Sequence, residues 1–291
     1  SQILVSDNLL GRVIDALGLG KISVGPPYFD LIFVSLMAPG IFLMGIGPLA
    51  NWQRTEIPEV VFKLKWAMLV AIGAAVIIFI FSKQSSPLVA LGIFLAFWIL
   101  SSSLLALRDR VQVISVKTNL QGFQVVRHLS LGFLGMLVAH IGVSVFIIGV
   151  TCVGGYEQEE DLKMSIGDTV KVGGYTFKLE GFEKKKGPNF TSTMGIFSVA
   201  DKRGHLSYLH PEKRFYNVQQ MPMTEAAIDT GFTRDLYVSL GEPLQDGSWV
   251  VRVYYKPFVD WIWAGAFIMA FGGIIAISDR RFRTARRSKV T

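Results

Sequence analysis

The chain has 291 residues, of which 51% are hydrophobic and only 18% are charged, and its mean hydropathy is +0.44. This composition excludes a disordered, a fibrous or a disulfide-rich protein, and it is too apolar for an ordinary soluble domain. The one cysteine, Cys152, can form neither an internal disulfide nor a CxxC redox pair.

The net charge of +7 is spread unevenly along the sequence. The segment 152–256 is balanced, with 13 Lys and Arg residues against 14 Asp and Glu residues. The basic excess lies beside long apolar runs, at 51–65, 108–128 and 279–291. Membrane proteins have this distribution because basic loops stay in the cytoplasm, whereas a nucleic-acid-binding protein concentrates them in a groove. We therefore expect contact with membrane lipid and no nucleic-acid partner.

Five apolar runs are long enough to cross a bilayer, which takes about 20 residues. The runs lie at 31–50, 66–82, 88–107, 129–150 and 258–278. None carries Lys, Arg, Asp or Glu in its middle. Each run is predicted to be a helix, because lipid offers backbone groups no hydrogen-bond partners. The basic loops then place 1–30 and 151–257 outside the cytoplasm and the C-terminus inside it.

The outer segment 151–257 is predicted to be one β-rich domain. Short β-branched and aromatic stretches alternate with turn signals such as Gly173-Gly174 and Asp246-Gly247. The predicted fold is an α-helical bundle of about five transmembrane helices, with one periplasmic β-rich domain inserted before the last helix. The predicted domain boundaries are 1–30, 31–150, 151–257, 258–278 and 279–291.

His140 is a candidate functional residue because it lies near the middle of the fourth apolar run. A polar ring at that depth must be satisfied by protein, ligand or water. Gly135, Gly142 and Gly149 recur every seven residues and form a smooth stripe for close helix packing. His140 lies about 200° from Gly142 around the helix. The ring is equally compatible with an axial ligand of haem iron and with a histidine hydrogen-bonded to another helix.

A dense charged run occupies residues 212–237 of the outer segment. Its candidate binding residues are Arg214, Glu225, Asp229, Arg234 and Asp235. One interpretation is an internal network of ion pairs that shapes the loop. The other is contact with a polypeptide or a propionate group, for which Arg214 or Arg234 would be a forked donor. No set of nucleophile, base and orienting residue occurs here, so no catalytic residue is assigned.

Several distinctive motifs follow one another along the chain. They are Ala139-His140-Ile141-Gly142, Tyr156–Asp161, Gly187-Pro188-Asn189, Glu212-Lys213-Arg214, Thr224–Asp229, Thr233–Tyr237 and Tyr255–Phe258. In this order they resemble the C-terminal part of CcmF, the cytochrome c haem lyase subunit of the bacterial cytochrome c maturation system. The resemblance covers nearly the whole chain.

This resemblance implies a multi-pass protein of the bacterial inner membrane that ligates haem covalently to the CxxCH thiols of apocytochrome c. It implies as partners the haem chaperone CcmE, CcmH with related thioredoxin-like proteins, and the apocytochrome. It also implies a membrane haem b, supplied with electrons by quinol, that keeps the substrate haem reduced. His140 would be one axial ligand, with the second outside this chain. A membrane scaffold that only assembles these partners is the alternative, and a haem transporter is a third possibility with less support.

The chain departs from the family in two respects. The tryptophan-rich WWD segment, its two flanking outer histidines and the first membrane histidine are missing, so we expect a fragment or one product of a split gene. Asp260 stands where a basic residue is expected in relatives. A charge-based role of that position is therefore not assigned.

Overall fold

Five long apolar helices form the membrane part of the protein. The computed structural model describes residues 26–49, 57–82, 86–120, 123–218 and 221–279. Its helices are α1 (Pro26–Ile46, followed by a 3₁₀ turn at Gly47–Leu49), α2 (Ile57–Phe81), α3 (Pro87–Thr118), α4 (Phe123–Val126), α5 (Leu131–Tyr156) and α6 (Val259–Ile277). All but α4 are long and apolar enough to cross a membrane, so the five predicted spans are confirmed as helices. Most of the predicted segments 1–30 and 279–291 lies outside the described residues.

The helices extend beyond the apolar runs that predicted them. α2 begins at Ile57 and α3 continues to Thr118, so parts of the predicted basic loops 51–65 and 108–128 are helical. α1 begins at Pro26 rather than 31, and α5 continues to Tyr156 rather than 150. The length of an apolar run reflects the thickness of the hydrocarbon core of the bilayer. A helix, by contrast, ends where its backbone geometry changes. α3 gives way to Asn119, whose φ of 56° is the left-handed conformation that Asn often adopts after a helix.

The described chain forms two compact units. The first contains α1, the first part of α2 and the second part of α3. Trp98 is buried in this unit, where its Nε1 donates to the main-chain oxygen of Phe42 at 2.8 Å. The two rings stack with their centroids 5.0 Å apart. The second unit contains α5, the β domain, α6 and the remaining parts of α2 and α3.

A seam of glycines joins α5 and α6 in the second unit. A Cβ atom added to Gly135 would lie 2.5 Å from the main-chain oxygen of Gly272. A Cβ added to Gly142 would lie 2.8 Å from the same atom of Gly265. The predicted glycine stripe of α5 is therefore confirmed as a packing face. The backbones approach closely because both helices carry small residues at the contact, as membrane helix pairs often do.

Ten described strands form a sandwich of two sheets between α5 and α6. They are β1 (Gln158–Met164), β2 (Thr169–Val172), β3 (Tyr175–Lys186), β4 (Phe190–Ala200), β5 (Leu206–Leu209), β6 (Glu212–Tyr216), β7 (Pro222–Glu225), β8 (Ala227–Asp229), β9 (Arg234–Pro243) and β10 (Trp249–Pro257). The smaller sheet has the strand order β1-β10-β9-β8. The larger has the order β2-β3-β4-β6-β7, with β5 paired to β4.

Side chains from both sheets meet in one hydrophobic core. Phe177 and Phe197 of the larger sheet are fully buried in the same cluster as Leu236 of the smaller sheet. Gly173 and Gly174 link β2 to β3 with φ values of 59° and 84°, which is the hairpin geometry that glycine allows. The predicted fold of five apolar helices with a β domain before the last helix is thus confirmed. The position of that domain in the periplasm stays a prediction.

Single residues join the sandwich to the α5–α6 hairpin. Only Glu157 separates α5 from β1, and only Phe258 separates β10 from α6. β1 and β10 are neighbours in the smaller sheet, with Gln158 opposite Tyr255. Phe258 also donates its backbone N–H to the main-chain oxygen of Thr233 at 3.1 Å. Because both single-residue links leave the same pair of neighbouring strands, they fix the position of the sandwich relative to the α5–α6 hairpin.

Asp279 closes the other end of this hairpin. Its buried Oδ2 accepts a hydrogen bond from the backbone N–H of Gly132, in the first turn of α5, at 2.8 Å. We expect Asp279→Ala to lower the free energy of unfolding by roughly 1–2 kcal/mol, because a donor at a helix N-terminus loses a charged acceptor. Denaturation in mixed micelles, followed by circular dichroism, measures the change.

The matched control for this prediction is Ser278→Ala. Ser278 is the neighbouring residue, but its exposed hydroxyl bonds the main-chain oxygen of Ile274 within its own helix. Its removal leaves the link between α5 and α6 in place. Equal losses of stability in the two variants would contradict the role given to Asp279.

Candidate functional site

His140 lies well inside α5. At 1.5 Å per residue, it is about 14 Å from Leu131 at one end of the helix and about 24 Å from Tyr156 at the other. The hydrocarbon core of a bilayer is about 30 Å thick. A helix that enters the lipid near Leu131 therefore carries His140 to the middle of the membrane. The side chain is half-buried.

The imidazole is on the face of α5 that points away from α6. His140 lies about 200° around the helix from Gly142, which packs on α6. Ser144 and Ile147 share the face of His140 and are buried. The hydroxyl of Ser144 is satisfied within the helix, since Oγ donates to the main-chain oxygen of His140 at 3.0 Å. The surroundings of the ring on α5 are therefore largely apolar.

The same face of α5 is covered farther along by the N-terminal part of α3. Thr151 lies about 20° from His140 around the helix, and Gly155 about 60°. A Cβ atom added to Gly92 would overlap Thr151, and one added to Gly155 would overlap Val89. These contacts cover the His140 face of α5 at the end of the helix nearer the sandwich. Thr151 is 11 residues from His140, so this tightly packed region begins about 16 Å along the helix from the ring.

This position fits an axial ligand of haem. A haem brings four iron ligands with its own porphyrin, so a single protein imidazole on an apolar face could hold its iron. A bare metal ion needs more protein ligands, and no group of three His, Cys, Asp or Glu that could hold one occurs in the described part of the chain. The other histidines lie elsewhere: His128 is exposed before α5, and His205 and His210 belong to the sandwich.

The charged candidates of the sandwich fall into two groups. In the first, Arg214 on β6 pairs with Glu212 at 2.9 Å and with Glu225 on β7 at 3.2 Å. The antiparallel register sets Glu212 opposite Glu225, which brings both carboxylates to the same guanidinium. That guanidinium also lies over the ring of Phe190, 4.7 Å from its centre. Arg214 therefore has partners within its own sheet.

The second group lies where the sandwich meets α6. Arg234 pairs with Asp229 at 3.1 Å, and its Nε donates to the hydroxyl of Tyr175 at 3.1 Å. Asp235 accepts a hydrogen bond from the backbone N–H of Gly231 at 3.2 Å. Both groups are in keeping with the ion-pair interpretation of the charged run. Contact of these side chains with a polypeptide or a propionate stays a prediction.

Asp235 gives the sandwich a pH-dependent stability. Burial raises the pKa of this carboxyl, and the nearby carboxylates of Asp260 and Asp229 also raise it. The ionised group therefore costs stability: the cost is absent below the unfolded-state pKa of about 3.9 and complete above the raised pKa. We expect Asp235→Asn to raise the melting temperature at neutral pH, with a difference that vanishes on acidification. Scanning calorimetry at several pH values measures this, and a difference independent of pH would contradict it.

Two structural features were missed by the sequence analysis. Gly265 and Gly272 of α6 repeat at the same spacing as the α5 stripe, and that spacing could have identified them as its partner. Arg252 forms a fork with Asp161, with Nη2 and Oδ2 2.7 Å apart, and so joins β10 to β1. No local signal could have shown this pair, because its members are 91 residues apart.

This architecture defines a class of multi-pass membrane proteins with a β-sandwich before the last helix. A family model described as the CcmF C-terminal beta-sandwich matches residues 155–257. Cytochrome c-type biogenesis protein CcmF of Pseudomonas fluorescens is 40% identical over 290 residues, covering 100% of this chain and 43% of the relative. CcmF of Pseudomonas aeruginosa is 40% identical over 291 residues, with the same coverage.

A solved structure has the same fold. It is a cytochrome c haem lyase CcmF, with a TM-score of 0.69 and 18% identity, and the match covers 92% of this chain and 42% of that one. The chain thus spans less than half the length of the curated relatives it matches. These matches confirm the resemblance drawn from the motifs. Over its whole length the chain is similar to CcmF proteins, and its sandwich matches their C-terminal β-sandwich.

Proposed function

We propose that this chain supplies the C-terminal portion of a haem lyase, which joins haem covalently to the CxxCH thiols of apocytochrome c. The names of its relatives as cytochrome c-type biogenesis proteins, and of its solved neighbour as a haem lyase, support this reaction class. The main observation that supports a role for this chain is the position of His140, a half-buried imidazole deep in an apolar helix. In this proposal His140 is an axial ligand of a membrane haem b, and the second ligand comes from outside this chain.

In this proposal, residues of α5 orient His140 and form its surroundings. The close contact at Gly142 sets the rotation of α5, and this rotation directs His140 away from α6. Ser144 and Ile147 give the ring buried, mostly apolar surroundings. Such surroundings influence the reduction potential of a bound haem. When bound, haem b supplies one-electron transfer, which would keep the substrate haem reduced.

The proposed partners are CcmE, CcmH with related thioredoxin-like proteins, and apocytochrome c, with quinol as the source of electrons. They would meet the sandwich on the periplasmic side of the bacterial inner membrane. The basic residues at 51–65, 108–128 and 279–291 support this orientation, because such segments stay in the cytoplasm. The fixed position of the sandwich relative to the α5–α6 hairpin supports the use of the sandwich as a docking surface.

A membrane scaffold is the second candidate function. In this alternative the chain assembles the same partners, and all haem chemistry takes place in polypeptide outside it. The junction between the sandwich and the helices supports a docking role in this alternative as it does in the haem lyase, since links of one residue each hold the outer domain in a defined place. The scaffold requires no ligand role for His140.

Substitution of His140 in the complete protein distinguishes the two functions. If the ring ligates haem, His140→Ala removes the b-type absorption, whereas a scaffold keeps its haem content and full lyase activity. His128→Ala is the matched control, because this exposed histidine lies before α5 with its Nδ1 3.0 Å from the main-chain oxygen of Gln124. Equal haem content in the two variants would overturn the ligand assignment.

A further inference from the structure

An open groove lies at the end of the sandwich farthest from the helices. Its volume is about 610 Å³, within the range of protein sites that bind small ligands. The larger sheet lines one side through β3, β4 and β6, and the ends of β9 and β10 line the other. We call it the basic groove, after its lysines Lys184, Lys186 and Lys213.

These three lysines share the inner face of the larger sheet. Lys184 and Lys186 are two residues apart on one strand and so project to the same side. The register places Lys184 opposite Thr193, and Thr193 opposite Lys213. Lys213 points toward the smaller sheet, since its Nζ donates to Glu242 Oε1 on β9 at 2.9 Å. The groove therefore carries a row of ammonium groups on its inner side.

Positive charge is in excess in the groove. Glu242 pairs with Lys213, but no described carboxylate lies within ion-pair distance of Lys184 or Lys186. The walls also offer apolar contact, because half-buried Trp249 packs on Phe182 at a centroid distance of 5.3 Å. The chemistry of the groove matches a ligand that carries both carboxylates and apolar groups.

We propose that the basic groove binds an acidic, extended segment of a partner polypeptide. Lys184 and Lys186 are about 7 Å apart along β3, the distance between alternate side chains of any extended chain. Carboxylates at alternate positions of such a segment match this spacing with both side chains extended, whereas a compact anion requires both lysines to bend toward one point. A carboxylate of the partner would also take the place of Glu242 beside Lys213.

A lipid headgroup is a poorer match because of the position of the groove. Trp249 begins β10, which then runs to Pro257 just before α6. Eight steps of about 3.3 Å place the groove roughly 26 Å from the start of the membrane helix. The headgroup layer is only about 5–8 Å deep on each side of the bilayer. The groove is therefore within reach of a soluble partner.

Binding of a labelled peptide to the full chain in detergent micelles tests this proposal. The probe is a fluorescein-labelled hexapeptide of alternating glutamate and phenylalanine, and fluorescence anisotropy gives its dissociation constant. We expect the double variant Lys184→Ala/Lys186→Ala to weaken binding about tenfold, because two charge-assisted contacts are lost. Glu242→Gln should tighten binding, since it frees Lys213.

The double variant Lys171→Ala/Lys202→Ala is the matched control, because it removes two exposed lysines elsewhere on the sandwich. Equal weakening in both double variants would overturn the proposal, and so would a Glu242→Gln variant that binds no tighter than wild type. Displacement of the peptide by an equal concentration of inorganic phosphate would show a compact-anion site instead and also overturn it.

This inference deepens the docking role within the proposed function, but it does not involve His140. The groove variants should therefore keep wild-type haem absorption in the complete protein. Loss of peptide binding with haem retained tests the groove alone, and loss of haem in His140→Ala tests the haem proposal alone. The two failures are thus separate results.

Discussion

Replacing Gly142 with leucine is expected to separate α5 from α6. A Cβ atom at this position would lie 2.6 Å from the main-chain nitrogen of Met269 and 2.8 Å from the main-chain oxygen of Gly265. Backbone atoms cannot turn aside as a flexible side chain can, so the helices must move apart. We expect a loss of about 3 kcal/mol in the free energy of unfolding, the upper end of usual overpacking costs. Denaturation in mixed micelles measures the loss.

The chain offers two matched controls for this prediction. Gly154 lies on the same helix, and a Cβ there would meet nothing within 4 Å. On α6, Gly272 faces α5 closely while its neighbour Gly273 has open space. Leucine at 142 or 272 should therefore destabilise the hairpin, and leucine at 154 or 273 should not. Similar effects at all four positions would contradict the packing seam.

Loss of the His140 ring is expected to reduce cytochrome c maturation to background. In the proposed function, His140→Ala removes an axial ligand, so haem b is lost and the substrate haem is no longer kept reduced. The yield of covalent haem in a reporter cytochrome, measured by haem staining, should fall with the b-type absorption. His128→Ala should keep both. Full cytochrome yield in an abundant, folded His140→Ala protein would favour the scaffold alternative.

The apolar helices could be predicted from sequence because lipid imposes a strong composition on any segment that crosses it. Their ends could not, because the end of a helix depends on local backbone geometry and packing. Asn119 ends α3 with a positive φ, well beyond the apolar run. α5 continues past 150 to Tyr156, where Gly155 lies in close contact with Val89 of α3, a neighbour that the sequence does not reveal.

The sandwich shows the same division between local and distant information. The turn at Gly173-Gly174 was predictable because two residues with positive φ are a property of the local sequence. The pairing of β1 with β10 was not, because it joins segments about 90 residues apart. Arg234 likewise bonds the hydroxyl of Tyr175, 59 residues away. For that reason the sequence named the charged residues but left their roles open.

The candidate site was predictable in part. His140 and the stripe at Gly142 follow from composition and helical periodicity, which need no tertiary information. The cover given by α3 near Thr151, and the matching glycines of α6, depend on how the helices pack. The lysines of the basic groove were hidden for another reason: the balanced charge of the whole outer segment concealed a local excess.

Rescue by free imidazole is the most direct test of the haem ligand. The complete protein carrying His140→Gly leaves a space where the ring was, and imidazole added to the membrane preparation can enter it as a replacement ligand. The account predicts that His140→Gly lacks the b-type absorption and regains it with imidazole, while His128→Gly shows it throughout. A wild-type spectrum in His140→Gly without imidazole would contradict the account.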